Sequence, residues 1–200
     1  MSDCGCNVEI KDQSQKSVLY WLLAINASMF VIEISFGWFA ESTALIADSL
    51  DMFADAVVYG IGLYVVGRAA QSKAKAALIS GYFQAMLGLL ILIDIVRRII
   101  QGSEPLSEFM MVIGLIALAA NVICLSLIHK HKDGEVHMRA SWIFSANDVI
   151  ANIGVIISGV LVWWLDQRWP DIIIGIVIAF VILRGARLIL QDAKNELKQI

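Results

Sequence analysis

Charged residues and proline are both scarce in this sequence. Of the 200 residues, 16% are charged and two are proline, whereas 59% are hydrophobic and the mean hydropathy is +0.76. This composition lies well outside the range of soluble globular domains and predicts a membrane protein. The net charge is −3 and the basic residues form no single patch, which argues against nucleic acid as a partner.

Cysteine is also rare, and its three positions exclude a disulfide framework. Cys124 lies in an apolar run, where we expect it to pack as a small hydrophobic residue. Residues 1–17 are polar and lack the regions of a cleavable signal, so we expect a cytosolic tail followed by a retained first helix. Within this tail, Cys4 and Cys6 are either ligands for a soft metal or inert.

Long apolar runs are what the sequence has in abundance. A hydrocarbon core about 30 Å thick is crossed by about 20 helical residues. Six segments reach this length: 18–39, 43–67, 76–98, 107–128, 139–165 and 170–190. The polar connections between them are short, so we expect consecutive helices to be antiparallel neighbours. The prediction is an all-α integral membrane protein, a compact bundle of six transmembrane helices at 18–190 with a short cytosolic tail at 191–200.

Lysine and arginine predict the orientation of the bundle, because cytoplasmic flanks carry their excess. With both termini inside, three arginines lie on the outer side, namely Arg97, Arg98 and Arg168. Ten basic residues then lie on the inner side: Lys11, Lys16, Arg68, Lys73, Lys75, Lys130, Lys132, Arg139, Lys194 and Lys198. We therefore predict that the N-terminus and the C-terminus both face the cytoplasm.

The second apolar segment carries three aspartates, Asp48, Asp51 and Asp55. An ionisable residue at this depth is costly unless it is paired or faces a polar cavity, so it indicates function. At helical spacing the three fall within an arc of about 60° and rise roughly 10 Å along the axis. They are expected to face the same place, although Asp48, one turn nearer the outer surface, could equally be a structural residue.

The fifth segment carries matching polar residues. Asp148 and Asn152 are four residues apart on one face, at a depth that matches Asp51 and Asp55. Asn147 and Ser145 add further oxygen donors beside them. We predict a metal site formed by Asp51, Asp55, Asp148, Asn152, Asn147 and Asp48.

Carboxylates this close cannot all be ionised in a low dielectric without a compensating cation. The second and fifth segments contain no lysine, arginine or histidine at that depth. A divalent cation would supply the charge, and carboxylate and amide oxygens would complete a four-coordinate set. Protons would take its place when it leaves, so the site itself predicts exchange of metal for protons.

Two alternatives from other classes remain open. Two intramembrane aspartates can activate water for peptide hydrolysis, but that chemistry normally uses YD and GxGD motifs, and Asp148 follows Ser-Ala-Asn. A membrane subunit that binds metal without transporting it would use the same carboxylates. We expect a transporter rather than an enzyme, with no resident cofactor.

The run EISFGWFAESTALIADSLDMFADA, from Glu33 to Ala56, resembles the first-to-second helix segment of cation diffusion facilitators. Asp48 and Asp55 stand at matching positions, and Asp51 stands where the family has His or Asp. Weaker matches follow at Asp94 to Arg98, Pro105, Asn121 and the Ser145 to Asn152 motif. The resemblance covers essentially the whole chain. It implies a divalent cation exporter of the bacterial inner membrane, with zinc-like ions first among the substrates.

Two departures from the family pattern qualify this resemblance. The position four residues before Asp148, where the family usually has a ligand, is Phe144, so a ligand is missing or replaced. The family's usual C-terminal cytosolic domain is absent from the sequence, so we expect a homodimer formed by transmembrane helices. An all-oxygen site favours harder ions such as Mn²⁺ or Fe²⁺, whereas His129, His131 and His137 in the inner loop favour Zn²⁺, Co²⁺ or Cd²⁺.

Overall fold

Six long α-helices make up the fold. The computed structural model describes residues 4–132 and 136–199, apart from the side chains of residues 4–12, 131, 136, 137, 139, 140 and 199. Within these residues the helices are α1 (Cys4–Phe39), α2 (Thr43–Val65), α3 (Ala70–Gln101), α4 (Ser107–Ile128), α5 (Val136–Leu165) and α6 (Trp169–Gln199). A short 3-10 turn, His129–His131, follows α4. The described residues contain no strand, and the predicted all-α fold is confirmed.

Five of these helices are long and apolar enough to cross a membrane, in the part of the chain that the structure describes. The spans lie within α1, α3, α4, α5 and α6. Helix α2 is missing from this set although it has 23 residues. Its three aspartates fall within eight consecutive residues, from Asp48 to Asp55, so every stretch of spanning length contains all of them. The helix that carries the predicted site is therefore the one whose composition least resembles a lipid-facing span.

Three helices extend further than the hydropathy predicts. Helix α1 begins at Cys4, α3 begins at Ala70, and α6 continues to Gln199. Residues 71–75, which precede the predicted segment 76–98, are therefore helical and not part of a connecting loop. These extensions are rich in Lys, Gln, Glu and Ala, which are polar or small but are strong helix formers, so they continue a helix after its apolar part has ended.

Helices α2 and α5 occupy the interior of the bundle. Helix α2 packs against α1, α3, α5 and α6, and α5 packs against α2, α3, α4 and α6. Helices α3 and α4 are not close neighbours, because α3 packs mainly on α6 and α4 mainly on α5 and α1. The expectation that every consecutive pair is adjacent was therefore wrong for this pair. Their loop crosses the end of α1 instead, where the Leu106 amide donates to the Ala40 carbonyl at 2.9 Å.

The turns divide the bundle into two ends. We call one the Glu41 end, since the α1–α2 turn at Glu41 (φ 50°) lies there together with Gly102 and with Asp166 (φ 50°) of the α5–α6 turn. We call the other the His129 end, after the 3-10 turn that follows α4. At the Glu41 end the Arg98 guanidinium donates to the Glu41 carbonyl, which ties α3 to the α1–α2 turn.

The first turn of α2 is held by a carboxylate from another helix. Asp171 of α6 is fully buried and accepts hydrogen bonds from the Ser42 hydroxyl at 2.7 Å, the Thr43 amide at 2.6 Å and the Ala44 amide at 3.0 Å. Ser42 is the N-cap residue, and its hydroxyl accepts from the Leu45 amide at 3.1 Å. Asp171 thereby satisfies amides that a helix N-terminus leaves without partners and adds a favourable charge there.

Two apolar clusters fill the two ends of the bundle. The Glu41-end cluster includes Ala44 and Leu45 of α2, Ala151 of α5 and Ile178 of α6. The His129-end cluster includes Leu19, Tyr59, Cys124, Phe144 and Ile189. Cys124 is fully buried, as its apolar run predicts. Any polar site at mid-length in α2 and α5 therefore lies between two apolar layers.

Two helical glycines give a matched test of this packing. A Cβ at Gly159 of α5 would lie 3.1 Å from the Met110 Cβ and 3.2 Å from the Met111 amide nitrogen, whereas a Cβ at Gly60 of α2 would have nothing within 4 Å. We expect Gly159→Ala to lower the free energy of unfolding by about 1–3 kcal/mol, because backbone must move. Gly60→Ala should raise it by about 0.5–1 kcal/mol, because alanine favours the helix. Thermal unfolding in detergent measures both, and equal effects would contradict the α4–α5 packing.

Candidate metal site

Three carboxylates converge at mid-length in the bundle interior. Asp51 and Asp55 project from α2 and Asp148 from α5, and one carboxylate oxygen of each lies within 4.8 Å of the others. All three side chains are buried, with exposed fractions of 3%, 0% and 1%. The structure thus brings together the three residues at the centre of the sequence-predicted site.

The approach of α2 to α5 depends on small residues. Ala44 and Ala47 of α2 are fully buried and share an apolar cluster with Ala151 of α5, about one to two turns beyond the carboxylates toward the Glu41 end. Small side chains let helices in lipid approach closely. Asp51 and Asp55, four residues apart, then lie on the face of α2 opposite Asp148.

Several oxygens of this cluster have no hydrogen-bond partner among the described residues. They are both oxygens of Asp148 and Oδ1 of Asp55. Asp55 Oδ2 accepts from the Tyr59 hydroxyl at 2.8 Å, and Asp51 Oδ1 lies 3.4 Å from Gln84 Nε2. Buried carboxylate oxygens without donors are costly, and three like charges add repulsion. The arrangement suits a cation or protons, both of which satisfy these oxygens.

Asp48 and Asn152, two further predicted ligands, are bonded to each other. The Asn152 amide nitrogen donates to both carboxylate oxygens of Asp48, at 3.1 and 3.0 Å, and to the Asp148 carbonyl at 2.8 Å. Both side chains are buried, and Asn152 Oδ1 has no partner among the described residues. The pair lies about one turn from the three carboxylates toward the Glu41 end. Asp48 is not part of the three-carboxylate cluster.

Asn147, the remaining predicted ligand, is half-buried and lies toward α6. Its Nδ2 is 3.2 Å from the position that a Cβ on Gly185 would take. The adjacent residue on α5, Asp148, points into the cluster instead. Neighbouring residues on a helix diverge by about 100°, which explains the difference.

Phe144 occupies the position where the family pattern has a ligand. It is 1% exposed and belongs to the His129-end cluster, together with Tyr59. The Tyr59 hydroxyl lies 3.0 Å from Ser145 Oγ as well as bonding to Asp55. Tyr59 and Phe144 thus close the side of the site that faces the His129 end.

Two polar side chains at this site, Tyr59 and Gln84, were not among the residues predicted from the sequence. Tyr59 follows Asp55 by four residues, so it continues the same face of α2. Gln84 is the one glutamine in the apolar run 76–98. Both signals were present in the sequence, but a tyrosine or a single glutamine in an apolar helix is more often a packing residue.

Glu33 of α1 lies beside the site. It is fully buried, neither of its oxygens has a hydrogen-bond partner among the described residues, and it is close enough to Asp48 and Asp51 to interact electrostatically. His129 is exposed at the end of α4, whereas the side chains of Cys4, Cys6, His131 and His137 lie outside the described residues.

Comparison with known proteins identifies the family. The model of the cation efflux transmembrane domain matches residues 19–197, nearly the whole chain. The chain belongs to the cation diffusion facilitator family. Together with the apolar helices, this membership makes the protein a multi-pass membrane protein, and its bacterial relatives support the inner membrane as its location.

The relatives of this family member are distant but aligned over most of the chain. Zinc transporter ZitB of Yersinia pestis is 27% identical over 203 residues, covering 94% of this chain and 64% of the relative. The cadmium, cobalt and zinc/H(+)-K(+) antiporter of Bacillus velezensis is 22% identical over 201 residues, covering 93% and 64%. The vacuolar zinc transporter ZRC1 of Saccharomyces cerevisiae is 28% identical over 130 residues, covering 58% and 29%. The chain thus spans 64% of the length of the two bacterial relatives.

Proposed function

We propose that this family member exports divalent metal ions from the cytoplasm in exchange for protons. Asp51, Asp55 and Asp148 hold the ion, and zinc-like ions come first among the substrates. The observation that carries the proposal is the cluster of three buried carboxylates, in which both oxygens of Asp148 and Oδ1 of Asp55 have no donor among the described residues. The relatives are named as zinc transporters and as a metal/proton-potassium antiporter, which supports the same class of substrate.

The position of the site supports alternating access. The three carboxylates lie between the Glu41-end and His129-end apolar clusters, so an ion there is shielded from both ends of the bundle. With the N-terminus and C-terminus inside and all six helices spanning the bilayer, the His129 end faces the cytoplasm. When the layer of Tyr59 and Phe144 opens, the ion enters from the cytoplasm. When the Glu41-end cluster opens, the ion leaves on the outer side. Lipid-facing helices supply the surfaces for a homodimer.

Charge balance couples the ion to protons. An empty site would place three negative charges within a few ångströms in a low dielectric, so protons must bind when the metal leaves. Protons and metal therefore compete for the same oxygens, and an acidic outer side favours release. Intramembrane hydrolysis is disfavoured, because the third carboxylate has no role in a two-aspartate mechanism and the relatives are transporters by name.

Transport by purified protein in liposomes tests the proposal. With an acidic interior and Zn²⁺ outside, we expect Zn²⁺ to accumulate in the lumen and the lumen to become more alkaline. A protonophore combined with a potassium ionophore, which collapses the pH gradient, should remove most of the uptake. Uptake that does not depend on the gradient would contradict the antiport. Zn²⁺ binding without any uptake would favour the metal-binding subunit over the transporter.

A further inference from the structure

Gln84 of α3 is a buried amide beside the three carboxylates. Its side chain is 1% exposed, and its Nε2 lies 3.4 Å from Asp51 Oδ1, at the long limit of a hydrogen bond. Its Oε1 has no hydrogen-bond partner among the described residues. A buried carbonyl oxygen without a donor is costly. The Gln84 amide is therefore weakly satisfied in this structure, and its oxygen is available to a ligand.

The packing of α3 on α6 leaves room for this amide. On either side of Gln84 the two helices are in tight contact, since a Cβ at Gly81 would lie 2.8 Å from Leu190 and one at Gly88 would lie 2.8 Å from Leu183. Opposite Gln84, α6 has Gly185, and Gln84 Oε1 lies 3.9 Å from the position that its Cβ would take. Half a turn of the terminal amide exchanges its nitrogen and oxygen positions, which have nearly the same size, so the turn requires no change in the α3–α6 packing.

The ion has a coordination position that the carboxylates leave open. If each of Asp51, Asp55 and Asp148 supplies one oxygen, a four-coordinate ion needs one more donor. Phe144 cannot supply it, and the Tyr59 hydroxyl donates to Asp55. Asn152 also has an oxygen without a donor, but its amide nitrogen is held by both Asp48 oxygens and by the Asp148 carbonyl, which fixes the orientation of that amide. Among the described residues Gln84 has one long contact, to Asp51, so its amide can turn its neutral oxygen toward the cluster without breaking stronger bonds.

We propose that Gln84 Oε1 is the fourth ligand of the transported ion and that it broadens the selectivity of the site toward harder ions such as Mn²⁺. This proposal rests on the proposed metal site of Asp51, Asp55 and Asp148. In the empty site the amide donates to Asp51; when the ion binds, the amide turns and its oxygen faces the metal. A site of four oxygen donors suits Mn²⁺ better than a site that includes an imidazole nitrogen. The difference in affinity between Zn²⁺ and Mn²⁺ is therefore smaller.

Equilibrium binding of Mn²⁺ and Zn²⁺ to purified protein tests the role of Gln84. We expect Gln84→Leu to weaken Mn²⁺ binding by about 10- to 100-fold, the range for removing a group that supports a metal site. Gln84→Glu should retain binding, because it keeps an oxygen at the same place. Gln101→Leu is the matched control, since this glutamine is exposed at the end of the same helix and should leave affinity unchanged.

A second variant gives a readout that does not depend on affinity alone. Gln84→His places a nitrogen donor at the fourth position, so the Zn²⁺/Mn²⁺ affinity ratio should rise by about 10-fold or more. The visible absorption of bound Co²⁺ should move to shorter wavelength. Unchanged Mn²⁺ affinity in Gln84→Leu, or an unchanged Co²⁺ spectrum in Gln84→His, would overturn the assignment. Absence of metal binding in the parent protein would instead refute the site of three carboxylates.

Discussion

Asp148→Asn is expected to abolish transport and to weaken metal binding on the order of 100-fold or more, beyond what the loss of a supporting residue causes. Among the described residues no hydroxyl, amide or basic group donates to the two carboxylate oxygens of Asp148, so the change leaves no such donor without a partner. Asparagine also has nearly the same volume. The fold should therefore survive, and the variant should lose only metal binding and transport. Zn²⁺ uptake into liposomes and equilibrium binding measure the two effects.

Asp166→Asn is the matched control for this variant. The chemical change is the same, but Asp166 lies in an exposed turn outside the cluster. Its φ of 50° is a conformation that asparagine also tolerates. It should transport and bind at the parent level. If Asp148→Asn also transported at the parent level, the ion would have to cross the bundle without this carboxylate, and the proposed site would be wrong.

Asp171→Ala is expected to cause the largest loss of stability. Asp171 accepts three hydrogen bonds at the start of α2, from the Ser42 hydroxyl and from the Thr43 and Ala44 amides. Hydrogen bonds to a charged group contribute roughly 1.5–3 kcal/mol each, and buried donors left without a partner are costly. Since the three bonds are not independent, we expect the free energy of unfolding to fall by about 3 kcal/mol or more.

Thermal unfolding in detergent measures this effect, with Glu104→Ala as the control at an exposed acidic residue of the α3–α4 loop. Asp171→Asn should lie between the parent and the alanine variant, because its amide oxygen still accepts from at least one donor. Equal melting temperatures for Asp171→Ala and Glu104→Ala would show that the α6 carboxylate does not hold α2. Metal binding by the surviving folded fraction should remain, since Asp171 is outside the carboxylate cluster.

Much of the fold could be predicted from hydropathy and helical spacing. Six apolar segments predict six helices, and the spacing of Asp51 and Asp55 predicts that they share a face. Matching depth then predicts that Asp148 meets them, since depth along a helix follows from residue number alone. Which helices pack against each other is harder to predict from the sequence, because a short loop can cross the end of a third helix, as it does between α3 and α4.

The partners inside the site could not be predicted in the same way. Asp48 and Asn152 have the spacing and depth of ligands, yet they bond to each other, because an amide donor satisfies a carboxylate as well as a metal does. Gln84 comes from a third helix, and its rotation about the axis depends on the α3–α6 contact at Gly81 and Gly88. That contact is a property of the packed bundle, which residue spacing within one helix does not determine.

Proton release on metal binding tests the central claim most directly, namely that metal and protons compete for the oxygens of Asp51, Asp55 and Asp148. Zn²⁺ is added to purified protein in weakly buffered detergent solution, and bound Zn²⁺ and released protons are counted together. We predict release of protons with each bound ion, binding that weakens as the pH falls, and neither signal in Asp148→Asn. Zn²⁺ binding without proton release, or the same release from Asp148→Asn, would contradict the account.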